Sequence, residues 1–286
     1  MKKLFVFLSF WVFVLSDLAA QATKEKTLLW EISGNGITQP SYLFGTIHLM
    51  CPDDIKMPEI VSEKFNSSKY LFLEIDLTDP HMMENAVVMM QMKDSTTIEK
   101  LLGKDFEKVN QSFKSITGMP LQMMNQIKPM MIISALLPAM IGCMPASWES
   151  AFQKMAEEKK MAVKGLETVK DQMDVFDSIP YKNQANILSR TILNMDSSKQ
   201  ELQKMLKMYN EKDIEQMNRV TTMDTDLKNF EGALINDRNK KWIPVIEKQI
   251  KNESTFFAFG AGHLGGEMGV INLMRLKGYI IRPIMY

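Results

Sequence analysis

Tyr42-Leu43-Phe44-Gly45-Thr46-Ile47-His48 and Phe257-Ala258-Phe259-Gly260-Ala261-Gly262-His263 share one construction, an apolar run followed by Gly-x-x-His. Each run is short and rich in aromatic residues, so it reads as a strand covered on both faces. A glycine at the carboxyl end of a buried strand lets the backbone turn sharply or approach a ligand. In open α/β sheets that edge is where ligands bind. The chain has three histidines and two of them end this construction, which puts two imidazoles over one edge of one sheet. The blander reading is a pair of hydrogen-bonded histidines at strand ends.

Working outward, residues 28–33 read as a strand closed by the Gly34-Asn35-Gly36 turn, and residues 41–46 and 70–76 as two more. An amphipathic stretch at 58–67, with Ile60, Val61 and Phe65 at helical spacing, lies between the last two. Strand, helix, strand predicts a βαβ unit with parallel neighbours. Residues 161–167 form another short strand ending in a carboxylate, Glu167. The chain closes with strand 255–260, helix 269–277 capped by Gly278, and strand 279–283. The middle reads as helical: a Met-rich region at about 80–160, then helices at 171–178, 182–195, 199–209 and 226–251. Residues 127–144 are expected as a buried helical hairpin. The 26 methionines read as core filler or a plastic groove wall in preference to soft-metal capture. The expected fold is α/β (α+β), a mixed sheet formed by the N- and C-terminal segments with a large helical insertion.

Composition narrows the function. A chain of 286 residues with 45% hydrophobic and 24% charged residues is globular, not disordered. Lys+Arg and Asp+Glu balance at 34 each, so no cationic field exists to capture nucleic acid. Lys2 and Lys3, the apolar run from Leu4 to Leu15 and the small-residue exit Ala20-Gln21-Ala22 read as a secretory signal peptide. That run is shorter than the ~20 apolar residues a membrane span needs. Residues 1–22 are therefore expected to be removed, leaving 23–286 as a single exported domain, periplasmic or extracellular, with no membrane span. In an oxidising compartment Cys51 and Cys143 could pair, but sequence does not give their separation, and the question stays open. Two cysteines without a second CxxC make no zinc site.

Glu74 sits inside Leu71-Phe72-Leu73-Glu74-Ile75, where a carboxylate is costly unless paired, protonated or metal-bound. His48, Glu74 and His263 together suit Zn²⁺, Mn²⁺ or Co²⁺. Glu167 could serve as general base on a bound water, and Arg238 could hold a substrate carboxylate or an oxyanion. A surface ion pair with Asp237 or Glu231 is the plainer reading of Arg238. His81, after Asp79-Pro80, reads as a helix-start residue without a role. The chain has no GxSxG elbow, Walker loop, HExxH or dinucleotide fingerprint.

Leu29-Trp30-Glu31-Ile32-Ser33-Gly34-Asn35-Gly36 followed by Pro40-Ser41-Tyr42-Leu43-Phe44-Gly45-Thr46-Ile47-His48 resembles the opening of TraB/GumN family proteins. Leu73-Glu74-Ile75-Asp76, Gly165-Leu166-Glu167-Thr168 with Gln172, Asp237-Arg238-Asn239 and Gly260-Ala261-Gly262-His263-Leu264-Gly265-Gly266 match later motifs of that family in order. The family includes the TIKI metalloproteases and bacterial pheromone-shutdown proteins, and is similar in architecture to erythromycin esterase and haem-binding ChaN proteins. The resemblance implies an erythromycin-esterase/ChaN/TIKI-like fold with both Gly-x-x-His halves on one cleft. It also implies a Mn²⁺- or Co²⁺-dependent peptidase, with Gly45, His48, Glu74, Glu167, Arg238, Gly260 and His263 at the matching positions. The leading expectation is a secreted metal-dependent peptide hydrolase acting on a peptide or small molecule. The alternatives are a binding module for haem, a peptide or a signalling molecule, and an esterase-like hydrolase using histidine directly as base.

Overall fold

In a computed structural model, residues 25–76, 88–223 and 228–286 are described; the signal peptide expected at 1–22 and His81 lie outside them. Six strands form one sheet in the order β4-β3-β5-β2-β1-β6. They are β1 (Leu29–Ser33), β2 (Ser41–Thr46), β3 (Tyr70–Leu73), β4 (Ala162–Gly165), β5 (Thr255–Gly260) and β6 (Ile280–Ile284). Four consecutive strands from one edge, β4, β3, β5 and β2, run parallel, whereas β1 is antiparallel to both β2 and β6. The Gly34-Asn35-Gly36 turn expected after β1 has positive φ at all three residues, which explains the glycines. Pro283 falls on the edge strand β6 opposite Trp30, where a missing N–H is tolerated.

The strands flanking the 58–67 helix are parallel as expected, but they are not neighbours. The C-terminal strand β5 lies between them, pairing with β2 (Phe44↔Ala258, Gly45↔Phe259) on one side and with β3 (Phe72↔Phe257) on the other. The reason lies in composition: Thr255–Gly260 is Thr-Phe-Phe-Ala-Phe-Gly, buried from Thr255 to Phe259, and the sheet centre is where both faces of a strand are covered.

The helices are α1 (Glu59–Asn66), α2 (Ile98–Leu102), α3 (Phe106–Thr117), α4 (Pro129–Ile133), α5 (Leu137–Ile141) and α6 (Trp148–Lys159). They continue as α7 (Val169–Asp177), α8 (Tyr181–Leu193), α9 (Met195–Asn210), α10 (Ile214–Met223), α11 (Asp237–Ile250) and α12 (Val270–Leu276). Strand alternation sends Phe44 and Phe256 to one face, where they meet Phe65 of α1 and Trp148 and Phe152 of α6 at ring separations of 5.0–6.1 Å. Phe259 points to the opposite face against Trp242 of α11, 5.4 Å away. Each such aromatic contributes about 1.5–3 kcal/mol by burial.

A second apolar cluster, away from the sheet, joins α2 and α3 to α8 through Ile98, Phe106, Val109, Phe113, Ala185 and Leu188. Here two expectations are corrected. Residues 127–144 form not a hairpin but three consecutive short helical segments, α4, a 3₁₀ turn (Ser134–Leu136) and α5. Pro129 and Pro138 each sit in a first turn, where proline starts a helix instead of continuing one. The methionines of this region are mostly half-buried or exposed, Met123 and Met144 strongly so; among the described ones up to Met161 only Met92 is buried. Met124 and Met140 pack at the margin of this subregion, whose core, Met92 and Ala185 apart, is made of Ile, Leu, Val and Phe.

The open question about the cysteines is answered: Cys51 and Cys143 form a disulfide with a Cα separation of 5.9 Å. Beside it, Met50 and Ala146 exchange two backbone hydrogen bonds of 3.0 and 2.9 Å. Together these clamp the exit of β2 to the start of α6 across 92 residues of chain. Replacing both cysteines by serine is expected to lower the unfolding free energy by about 2–5 kcal/mol. Denaturant titration of the oxidised protein and the double variant checks this; equal midpoints would show that the bridge carries no stability.

Candidate functional site

Four parallel strands end at one edge, and each delivers a charged or polar group there. Glu167 follows β4, Glu74 follows β3, His263 follows β5 and His48 follows β2. Two of them, His48 and Glu74, border a cleft of about 350 Å³. His48, Glu74, Ser147, Glu149, Gln172 and Arg238 give it a polar side, and Leu73, Ile75, Val175, Phe176 and Leu234 an apolar wall.

The two motif glycines do different work. A Cβ at Gly45 would stand 2.7 Å from Leu264 Cδ1 and 3.1 Å from Ala261 Cα, so glycine there permits the second Gly-x-x-His loop to pack onto β2. A Cβ at Gly260 would stand 3.3 Å from Glu74 Oε1, 3.5 Å from His48 Nε2 and 3.6 Å from His263 Cδ2. Three functional side chains therefore ring the space in front of Gly260, and a side chain there would press first on Glu74.

The centre of the cluster is Arg238, in the first turn of α11. A π-helical turn, Gly232–Asn236, precedes it, with the Asp237 N–H bonded to Gly232 O. Arg238 Nε donates to Glu167 Oε1 at 3.1 Å, and Nη2 to Glu167 Oε1 at 2.6 Å and Glu74 Oε2 at 2.5 Å. Nη1 donates to Leu234 O at 3.2 Å and to His263 Nε2 at 3.1 Å. All five guanidinium N–H groups are thus committed to protein acceptors. The surface pairing with Asp237 or Glu231 considered from sequence is not the arrangement found.

Glu74 and Glu167 are only 7% and 5% exposed. Gly260 N donates to Glu74 Oε1 at 2.8 Å, and Gln172 Nε2 to Oε2 at 3.1 Å. Burial pushes the Glu74 pKa up, but Arg238 and then the histidines outweigh it, leaving Glu74 ionised and well below the usual carboxylate range. Glu167 accepts from Arg238 and, at Oε2, from Trp242 Nε1 at 3.0 Å. The structure accordingly brings Glu167 and Arg238 to each other, whereas sequence reasoning gave them water activation and substrate binding.

The matched histidines sit in opposite environments. His263 is buried beneath Trp242, 4.5 Å between rings. Asn239 donates through Nδ2 to the carbonyls of Met268 (2.7 Å) and His263 (3.3 Å), which leaves its Oδ1 to accept from His263 Nδ1 at 2.6 Å. That fixes the tautomer: Nδ1 carries the proton and Nε2 accepts from Arg238. Burial, with Arg238 alongside, lowers the His263 pKa to about 3 against the opposing pull of Glu74. His48 is 58% exposed on the cleft rim. Its Nδ1 donates to Glu149 Oε1 at 2.9 Å, and its Nε2 faces Glu74 Oε1 at 3.6 Å. Crowding by the cleft disfavours its charge, but Glu74 and Glu149 prevail and raise its pKa to about 9.

Sequence reasoning missed Glu149. It lies in the first turn of α6 after the cap Ser147, whose Oγ accepts from Ser150 N at 3.1 Å. An acid after a serine cap reads as an ordinary helix start, so its approach to His48, 101 residues away, leaves no local signal.

The family model described as TraB/PrgY/gumN family matches residues 28–283. The chain is 22% identical over 327 aligned positions to Metalloprotease TIKI1 of Homo sapiens, covering 92% of this chain and 63% of that protein. It is 22% identical to Metalloprotease TIKI2 of Danio rerio (88% and 60%) and 23% identical to Metalloprotease TIKI homolog of Amphimedon queenslandica (91% and 62%). The chain thus spans about 60% of the length of these relatives. No solved structure matches it. Among the described residues, no helix is long and apolar enough to cross a membrane.

In chelator-treated protein, histidine NMR should show His263 titrating near pH 3 and His48 near pH 9. The signs follow for stability. His263 binds its proton more readily unfolded, so its contribution is lost as pH falls from about 6.5 towards 3. His48 binds it more readily folded, so its contribution is lost as pH rises from about 6.5 towards 9. Equal midpoints near 6.5 would contradict both environments. Arg238→Ala, which strands two buried carboxylates, is expected to cost about 3–5 kcal/mol; chemical unfolding measures it, and a cost under about 1 kcal/mol would mean the cluster relaxes freely.

Proposed function

The chain belongs to the TraB/PrgY/gumN family, and from that premise we propose that it is a metal-dependent peptide hydrolase centred on His48 and Glu74. The observation that carries this reading is the 3.6 Å between His48 Nε2 and Glu74 Oε1. That is long for a hydrogen bond and close to the ~3.4 Å between two donors each ~2.1 Å from one tetrahedral ion. Imidazole with carboxylate suits Mn²⁺, Co²⁺ or Zn²⁺, and the relatives' names, Metalloprotease TIKI1 and TIKI2, support the same chemistry.

His48 and Glu74 would hold the ion. His263, expected as the third ligand, has its Nε2 on Arg238, and among the described residues no group of three or more His, Cys, Asp or Glu is placed to hold a metal. The fit is therefore to a two-ligand site. Bound there, a divalent ion supplies polarisation of a peptide carbonyl and a lowered pKa for water.

The chain's own residues bind and orient. Gly260 N and Arg238 fix the two oxygens of Glu74, one each. Asn239 fixes the tautomer of His263, so that its Nε2 is the acceptor that holds Arg238 in place. Glu167 and Arg238 act as a charge frame behind the cleft, and Ile75, Val175, Phe176 and Leu234 receive the apolar flank of the substrate. A second reading is direct base catalysis by the neutral form of His48, which its raised pKa places at alkaline pH; one observation favours it, that its Nδ1 is held by a carboxylate while Nε2 faces the cleft.

Hydrolysis of a mixed fluorogenic peptide library tests these readings, with His48→Ala and Glu74→Gln each expected to reduce turnover by about 100-fold or more. Loss of activity to chelator and its return with Mn²⁺ or Co²⁺ supports the metal-dependent enzyme. Activity indifferent to chelator yet lost in His48→Ala transfers the assignment to direct histidine catalysis. No cleavage by folded, Mn²⁺- or Co²⁺-supplied protein sinks both.

A further inference from the structure

We infer that Glu149 is a positioning residue for His48, holding the imidazole so that Nε2 is presented to Glu74 and the cleft. His48 is otherwise a rim side chain, more than half exposed, and an exposed imidazole turns freely about its side-chain bonds unless a partner fixes it. The contact that fixes it is Nδ1–H to Glu149 Oε1 at 2.9 Å. A ring nitrogen bound in this way sets both tautomer and orientation of the other nitrogen.

Glu149 is itself rigidly placed. Its Oε1 also accepts from Thr46 Oγ1 at 2.5 Å, two residues before His48 on the same strand exit. Its backbone starts α6, which the Met50–Ala146 bridge and the Cys51–Cys143 disulfide clamp to the loop carrying His48. Its Oε2 is buried and has no hydrogen-bond partner among the described residues. A carboxylate kept in such a place at the cost of an unpaired oxygen is poorly explained by stability. Its gain is the orientation of His48.

The kinetic consequence rests on the hydrolase reading, but the orientation is tested without turnover. With three histidines in the chain, long-range ¹H–¹⁵N spectra are assignable using His48→Ala and His263→Ala. In chelator-treated wild type, His48 should show a slowly exchanging, low-field Nδ1 proton. Glu149→Ala should abolish that signal and leave the His263 resonances in place, which also reports that the fold survives. Glu149→Gln, which keeps an acceptor oxygen, should retain part of it. If the library assay yields a substrate, Glu149→Ala should lower kcat about 10–100-fold with KM changed less than about threefold, and Glu149→Gln should fall between. An unaltered His48 spectrum in Glu149→Ala would overturn the inference, as would a raised KM with unchanged kcat. Should the wild type cleave nothing, the spectra still decide the role of Glu149 while the hydrolase reading alone fails.

Discussion

Five hydrogen-bond donors on one guanidinium hold this site together. Adjacent parallel strands β3 and β4 deliver Glu74 and Glu167 to the same buried edge, and two carboxylates there repel each other and lose their hydration. Arg238, brought in by α11, resolves both problems by bonding to each. The same group reaches His263 on β5, so three strands and a helix meet in one charge network. Because each partner is buried and fully engaged, the network has one arrangement, and the cleft inherits that rigidity.

The rigidity divides the site into a fixed back and an addressable front. Behind lie Glu167, Arg238, Asn239, Trp242 and His263, each spending its polar atoms on the others. In front lie His48, Glu74 Oε1 and the floor at Gly260, backed by Glu149 and faced by an apolar wall. The repeated Gly-x-x-His is therefore one motif with two fates. Its first copy emerges at the rim beside Glu149 and carries charge. Its second turns inward through the 3₁₀ segment Ala261–His263, where burial and Arg238 keep the imidazole neutral and Asn239 fixes its tautomer. Glycine serves both copies, at Gly45 by admitting Ala261 and Leu264 and at Gly260 by leaving the floor open.

Much of this was legible in the residues. All six strands and the helices at 58–67, 182–195 and 269–277 were marked by apolar period, turn glycines and prolines, which act locally. The placing of His48, Glu74, Glu167 and His263 at one edge was legible too, because each stands at or just past the carboxyl end of an apolar run. The insertion of β5 between β2 and β3 was not, since a strand's neighbours are chosen by burial over the whole sheet. Nor were the surface positions of the methionines: their spacing matched a helix face, but spacing does not say whether that face is covered.

By itself, the sequence determined the edge, the residue types on it and the family. The tertiary structure alone decided their partners. Arg238 read as an anchor for substrate or an oxyanion, or more plainly as a surface ion pair, and is a buried hub; Glu149 read as a helix start and fixes a histidine; Cys51 and Cys143 read as an unresolved pair and clamp that histidine's loop to α6. The physical reason is common to all three. Desolvation and pairing depend on which groups lie within a few ångströms, and these pairs are 92 to 164 residues apart in the chain, beyond the reach of any local pattern.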